Sequence, residues 1–379
     1  MALLVMGPAK AATAASTPGS SAYSPTYDEA RTRFRQQLPQ AEHGTLAVRG
    51  KTSEDNSIDY IYVAGKPGSK LLIITSGVHG IEGFTGSALQ LDFLEHLKEF
   101  QRSDLSLLLI HALNPYGFRH ERRVTENNVD LNRNFDTSRD LFTTKNPSYL
   151  LVKDLLNPLG TADFGMSDRY QFYLAAGTGI LKHSMETLRR SVLSGQYEFP
   201  DDLYFGGKDF EPQKEILEKL FLEKSKTAKE VFLIDLHTGY GQRGHLHLFG
   251  DSDPEIDKTL LGHFFPLKTI DFGENKDFYK VTGGMVVYVG KLLKQQNKKY
   301  AGIVFEFGTL NSQSTMGSLD SIYRMTRENQ LVHHGATSEA AATEIKENFH
   351  EMFYPSDLKW QQQVLTSGHK TIIKAYQDF

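Results

Sequence analysis

One stretch constrains the chain more than any other: Leu71-Leu72-Ile73-Ile74-Thr75-Ser76-Gly77-Val78-His79-Gly80-Ile81-Glu82-Gly83. Its apolar, β-branched run has the length of a strand buried on both faces, which requires a sheet covered by helices. The run ends in small residues, and then a histidine and a glutamate arrive three positions apart. Ligands of open α/β sheets lie where such strands end and the chain turns into a helix. An imidazole nitrogen and a carboxylate there could take two of the three protein positions of an open, catalytic zinc site. The HxxE spacing alone also arises by chance, so the rest of the chain has to decide.

The flanking sequence extends the strand pattern. Residues 59–63 alternate as an edge or half-buried strand, and a further strand is expected near 44–48. After Glu82, Leu89, Phe93, Leu94 and Leu97 recur at helical spacing, giving a helix over about 84–100. A second buried run, 105–113, closes at Asn114-Pro115-Tyr116-Gly117, a turn signal. Strand, helix and strand in this order make a βαβ unit. Residues 231–237 and 303–308 are two more buried strands, the first ending in His237 and the second containing Glu306. Helices are expected over about 167–193, 211–227 and 285–293, with surface helices at about 319–330, 337–352 and 356–377. The fold class is therefore α/β: a mixed, largely parallel twisted sheet flanked by helices. Residues 1–26 read as a flexible leader, and 27–379 as a single catalytic domain with a helical elaboration at about 136–229.

Composition narrows the chemistry. The 379 residues contain no cysteine, so disulfides, thiolate metal sites and a cysteine nucleophile are excluded. A metal must use His and Asp or Glu. The net charge of -4 and the lack of a basic stripe argue against a nucleic-acid partner. No apolar run reaches the roughly 18–20 residues of a membrane span. The N-terminal Met1-Ala2-Leu3-Leu4-Val5-Met6 is short for a secretory signal and has no basic residue before it, so a cytoplasmic location is expected, with export the alternative.

His79, Glu82 and His237 share one property: each stands at or just past the C-terminal end of an expected buried strand. Three such ligands leave a coordination position open for water. A histidine taken singly is more often a core residue bonded to backbone. Glu306 lies in Val304-Phe305-Glu306-Phe307, where alternation turns it away from the faces of the two phenylalanines. Burial there raises a carboxyl pKa and suits a general base; a structural pair with an arginine is the plainer alternative. The polar run Arg119 to Asp136 holds guanidinium forks suited to a carboxylate or an oxyanion, or to a solvated loop with ion pairs.

Taken in order, His79-x-x-Glu82, Asp130-Leu131-Asn132-Arg133-Asn134-Phe135, Asp235-Leu236-His237 and Phe305-Glu306 resemble the signature of zinc carboxypeptidases, and within them most closely the bacterial DUF2817 carboxypeptidase-like metallopeptidases. The resemblance spans about residues 45–310 and implies the zinc carboxypeptidase-like, phosphorylase/hydrolase-like fold with one zinc ion. It implies His79, Glu82 and His237 as ligands and Glu306 as the general base and acid. Asn132 and Arg133 would hold the substrate's terminal carboxylate, and Asp130 would orient a ligand histidine. Arg122 or Arg123 would polarise the scissile carbonyl, Arg123 being preferred. Tyr279-Lys280-Val281-Thr282-Gly283-Gly284-Met285-Val286-Val287 is similar to the segment with the family's mobile tyrosine and pocket floor. Tyr279 would close over substrate, and Val286 and Val287 would favour a neutral or apolar C-terminal residue.

The resemblance thus implies zinc-dependent hydrolysis of an amide bond beside a free carboxylate, with a peptide as substrate. The short gap between the arginine pair and Asn132 also resembles the aspartoacylase and succinylglutamate desuccinylase relatives, which would make the substrate an N-acyl amino acid. A binding protein that kept the fold without catalysis is the third possibility.

Overall fold

The computed structural model describes residues 22–97, 102–184, 191, 194–251, 253, 256–272 and 282–379. The strands, in chain order, are Glu42–Ala47 (β1), Ser57–Val63 (β2), Lys70–Ser76 (β3), Leu105–His111 (β4), Glu230–Gly239 (β5), Leu246–Phe249 (β6), Ile270–Asp271 (β7) and Lys299–Gly308 (β8). They form one sheet in the order β1-β2-β4-β3-β5-β8-β6-β7. The four central strands run parallel, while β2 is antiparallel to β1 and β4, and β6 is antiparallel to β8. This is the mixed, largely parallel sheet flanked by helices expected from the sequence. Leu71, Leu72, Ile73 and Ile74 are all fully buried, because side chains on both faces of β3 meet covering elements. Helix Gly83–Leu97 packs on β3 and β5, and helix Met285–Lys294 packs on β8 beside Pro212–Ser225.

The structure departs from the sequence expectations in four places. The short strands β6 and β7, which extend the sheet beyond β8, were not anticipated; four and two residues carry too little periodicity to read. The C-terminal helices Glu339–Phe353 and Leu358–Asp378 are not merely surface helices: Phe349, Trp360, Val364 and Ile372 are buried, and Trp360 Nε1 donates to Gly308 O at 2.8 Å. Their apolar stripes are one-sided, and a stripe does not say what it packs against. Residues 22–24, expected within the leader, are buried, with Tyr23 stacked on Tyr354 at 5.4 Å. The elaboration expected at 136–229 is not one unit: helix Met166–His183 packs on helix Thr315–His334, whereas helix Pro212–Ser225 packs on helix Met285–Lys294. No helix among the described residues is long and apolar enough to cross a membrane.

Candidate metal centre

β3 ends at Ser76 and the chain turns sharply, with Gly77 at φ 68°, into the 3-10 turn Gly80–Glu82 and then helix Gly83–Leu97. The turn is pressed against its neighbour: a Cβ on Gly80 would stand 2.1 Å from the Gly117 carbonyl carbon. Only a residue without a side chain allows that approach. The amides of Gly80 and Ile81 donate to the carbonyls of Arg123 and Arg122 at 3.2 and 3.0 Å. The backbone carrying His79 is thus bonded to the backbone carrying both candidate arginines.

His79, Glu82 and His237 converge, each offering one donor atom, all within 4.8 Å of one another, and all three residues are buried. His79 Nδ1 lies 2.8 Å from Glu82 Oε1, and His237 Nδ1 lies 3.0 Å from Glu82 Oε2. The outer nitrogen of each histidine meets a carboxylate. His237 Nε2 is 2.7 Å from Asp235 Oδ2, and His79 Nε2 is 3.3 Å from Asp130 Oδ1. Asp235 also accepts from Thr75 Oγ1 at 2.7 Å. A carboxylate that accepts a hydrogen bond from Nε2–H keeps the proton there and leaves the Nδ1 lone pair facing inward, the tautomer a metal needs. At His79 that carboxylate has a competitor, since Arg123 Nη2 lies 2.6 Å from the same nitrogen and Arg123 also bonds Asp130.

The electrostatics favour a cation. Burial works against the charge of Glu82, but the two histidines hold it down to about 2. Burial likewise opposes the charged form of His237, yet Asp235 and Glu82 hold its pKa well above the ordinary value. Two imidazoles and a buried carboxylate, surrounded by further carboxylates, are a donor set that fits zinc. Glu306 stands beside His237 in the β5–β8 register and accepts from the Tyr240 amide at 2.9 Å. Burial, reinforced by Glu82, raises its pKa to about 8.

The two arginines separate. Arg122 turns away, donating from Nε to Glu328 Oε1 at 2.8 Å and from Nη2 to Asn128 Oδ1 at 3.1 Å. Arg123 reaches His79 and Asp130 and lies 5.4 Å over the Tyr204 ring. Asn132 Oδ1 accepts from the Met285 amide at 3.0 Å, linking the 130–134 segment to helix Met285–Lys294. Arg133 is buried beneath residues 195–197: a Cβ on Gly195 would stand 2.9 Å from its Cδ, and Tyr197 donates to its carbonyl at 2.8 Å. Val286 is buried against Gly302 of β8, and Val287 is half-buried against the main core. Tyr279 lies outside the described residues.

Two neighbours of the centre were not singled out in the sequence. Asp235 stands two positions before His237 on one strand, so period-two alternation puts both on one face; that signal was available. Tyr204, whose φ is 61°, reaches Arg123 only through tertiary packing and had no sequence signal.

No curated protein matches the chain in sequence. Many solved structures are similar at low identity, three of them as follows. Bovine thrombin-activatable fibrinolysis inhibitor, in complex with tick carboxypeptidase inhibitor, is 15% identical over 86% of this chain and 97% of its own, with a TM-score of 0.47. Carboxypeptidase A from Helicoverpa armigera is 13% identical over 81% and 72%, with a TM-score of 0.41. A metallo-carboxypeptidase from Burkholderia cenocepacia is 13% identical over 81% and 68%, with a TM-score of 0.37. A family described as "Protein of unknown function (DUF2817)" matches residues 23–367, the span that carries β1 to β8 and every candidate residue above. The chain belongs to the DUF2817 family.

Proposed function

We propose that the protein is a zinc-dependent hydrolase that cleaves an amide bond next to a free carboxylate. The observation that carries this reading is the convergence of the His79, Glu82 and His237 donor atoms within 4.8 Å, with Glu306 on the adjoining strand. A zinc ion held there supplies Lewis-acid charge for the scissile carbonyl and makes hydroxide accessible at neutral pH. With a cation in the centre offsetting burial and the charge of Glu82, Glu306 would stand ionised, take the proton of the attacking water and pass it to the leaving amine. Arg123 stabilises negative charge growing on the carbonyl oxygen; its electrostatic interaction with Glu82 and Glu306 supports this, while Arg122 is bonded to Glu328. Asp130 and Asp235 orient the ligand imidazoles. Asn132 and Arg133 receive the substrate carboxylate, Tyr279 closes over it, and Val286 with Val287 favours a neutral or apolar residue beside it.

Hydrolysis of N-acyl amino acids is the second reading. One observation favours it: the short run between Arg123 and Asn132, which resembles that of the N-acyl amino acid deacylases.

Kinetics of the zinc-loaded protein test both readings, using peptides ending in Phe, Leu, Lys or Arg beside N-acetyl- and N-succinyl-amino acids. We expect zinc-dependent turnover, lost on chelation, with Phe and Leu preferred over Lys and Arg. Glu306→Gln should retain the metal and lose about 10²–10⁴-fold in kcat. A folded, zinc-loaded protein that hydrolyses no member of the panel refutes the reading.

A further inference from the structure

We infer that Asp92, His96 and His369 form a second divalent-metal site, separate from the centre at His79, that clips helix Gly83–Leu97 to the C-terminal helix Leu358–Asp378. Each of the three side chains offers one ligand atom, and these atoms lie within 4.8 Å of one another. Asp92 and His96 are four apart on one helix, so they share a face one turn apart. His369 comes from the other helix, with Nδ1 2.7 Å from Asp92 Oδ2 and its ring 4.4 Å from that of His96.

Two features hold the arrangement in place. His96 Nδ1 is 2.8 Å from the Asp92 carbonyl, which orients the ring. At Gly368, the residue before His369, the two helices touch: a Cβ there would stand 2.3 Å from Leu89 Cδ2. A larger residue would have to displace the Leu89 side chain. The side chains are 19%, 42% and 31% exposed for Asp92, His96 and His369, so water and an ion have access.

The plainer account is a hydrogen bond between His369 and Asp92 that joins two helices. It does not use the His96 ring, which stands 4.4 Å from that of His369. A divalent ion takes both in their neutral form together with the carboxylate. Two imidazoles and one carboxylate select zinc, nickel or copper over magnesium and calcium, which prefer all-oxygen sites. Because the ion binds only where both helices are assembled, it stabilises the native state by mass action. The helix it secures begins immediately after Glu82.

The test is a titration of metal-free, full-length protein with zinc and with nickel against a chromophoric competing chelator. Wild type should bind two ions. His369→Gln, which keeps a polar side chain for Asp92, and His96→Ala should each bind one, or bind the second at least about tenfold more weakly. In a His79→Ala/His237→Ala background, zinc should still raise Tm, and adding His369→Gln should abolish that rise. Circular dichroism checks that each variant is folded. A wild type that binds a single ion, removed by His79→Ala, overturns the proposal. So does a second ion bound with unchanged affinity in both His96→Ala and His369→Gln.

Discussion

Asp235→Asn offers the sharpest view of how the chain prepares His237. Asp235 is fully buried and has two partners at 2.7 Å, the His237 Nε2 and the Thr75 hydroxyl. Asparagine keeps the shape but replaces one acceptor oxygen with a donor. If its NH2 faces His237, Nε2 must become the acceptor, the proton moves to Nδ1, and the nitrogen beside Glu82 loses the lone pair a metal requires. If its oxygen faces His237, the tautomer survives, and Thr75 must give its proton to the Ile234 carbonyl at 3.4 Å, a longer bond. The imidazole then still loses the negative charge that makes it a better donor. Either arrangement weakens metal binding, and loss of such a supporting carboxylate costs about 10–100-fold in affinity, or about 1.4–2.7 kcal/mol. Competition with a chelator of known zinc affinity measures this directly, with the melting temperature of the metal-free protein as the check on folding. A folded Asp235→Asn protein whose zinc affinity at the His79 centre stays within twofold of wild type refutes the reasoning.

Other predictions follow from the same geometry. Arg123→Ala should lower turnover by about 10²–10³-fold while leaving zinc stoichiometry unchanged. Arg122→Ala should instead lower stability by about 3–5 kcal/mol in chemical denaturation, because it strands buried Glu328; the opposite pattern would reverse the assignment of the two. His111 is fully buried, and burial pushes its pKa from the ordinary 6.5 down to about 3. The unfolded chain therefore binds a proton that the native protein refuses below pH 6.5, and stability falls with pH. Between pH 7 and 5 wild type should lose about 2 kcal/mol more than His111→Gln, and parallel stability curves would contradict this. Gly80→Ala should cost about 1–3 kcal/mol and weaken zinc binding, since its Cβ meets Gly117 backbone beside His79; a variant of unchanged stability and affinity would refute the close approach.

Much of this protein is written locally in its chain. Burial of β3 on both faces follows from four consecutive apolar residues at 71–74, and the parallel core follows from a buried strand, a helix and a second buried strand. The positions of His79, Glu82 and His237 at strand ends were equally legible, since where an apolar run stops is a property of the run itself. The same alternation that set Glu306 apart from Phe305 and Phe307 also aligned Asp235 with His237. What the chain did not reveal locally were partners distant in sequence. Whether Arg122 or Arg123 faces the centre depends on Glu328, some two hundred positions away on helix Thr315–His334. The cover over Arg133 by residues 195–197 and the packing of the last helices against the core are likewise long-range contacts. Periodicity records that a side chain is buried, because burial repeats with the geometry of a helix or strand; it does not record what the side chain is buried against. That choice is made only when the whole chain packs.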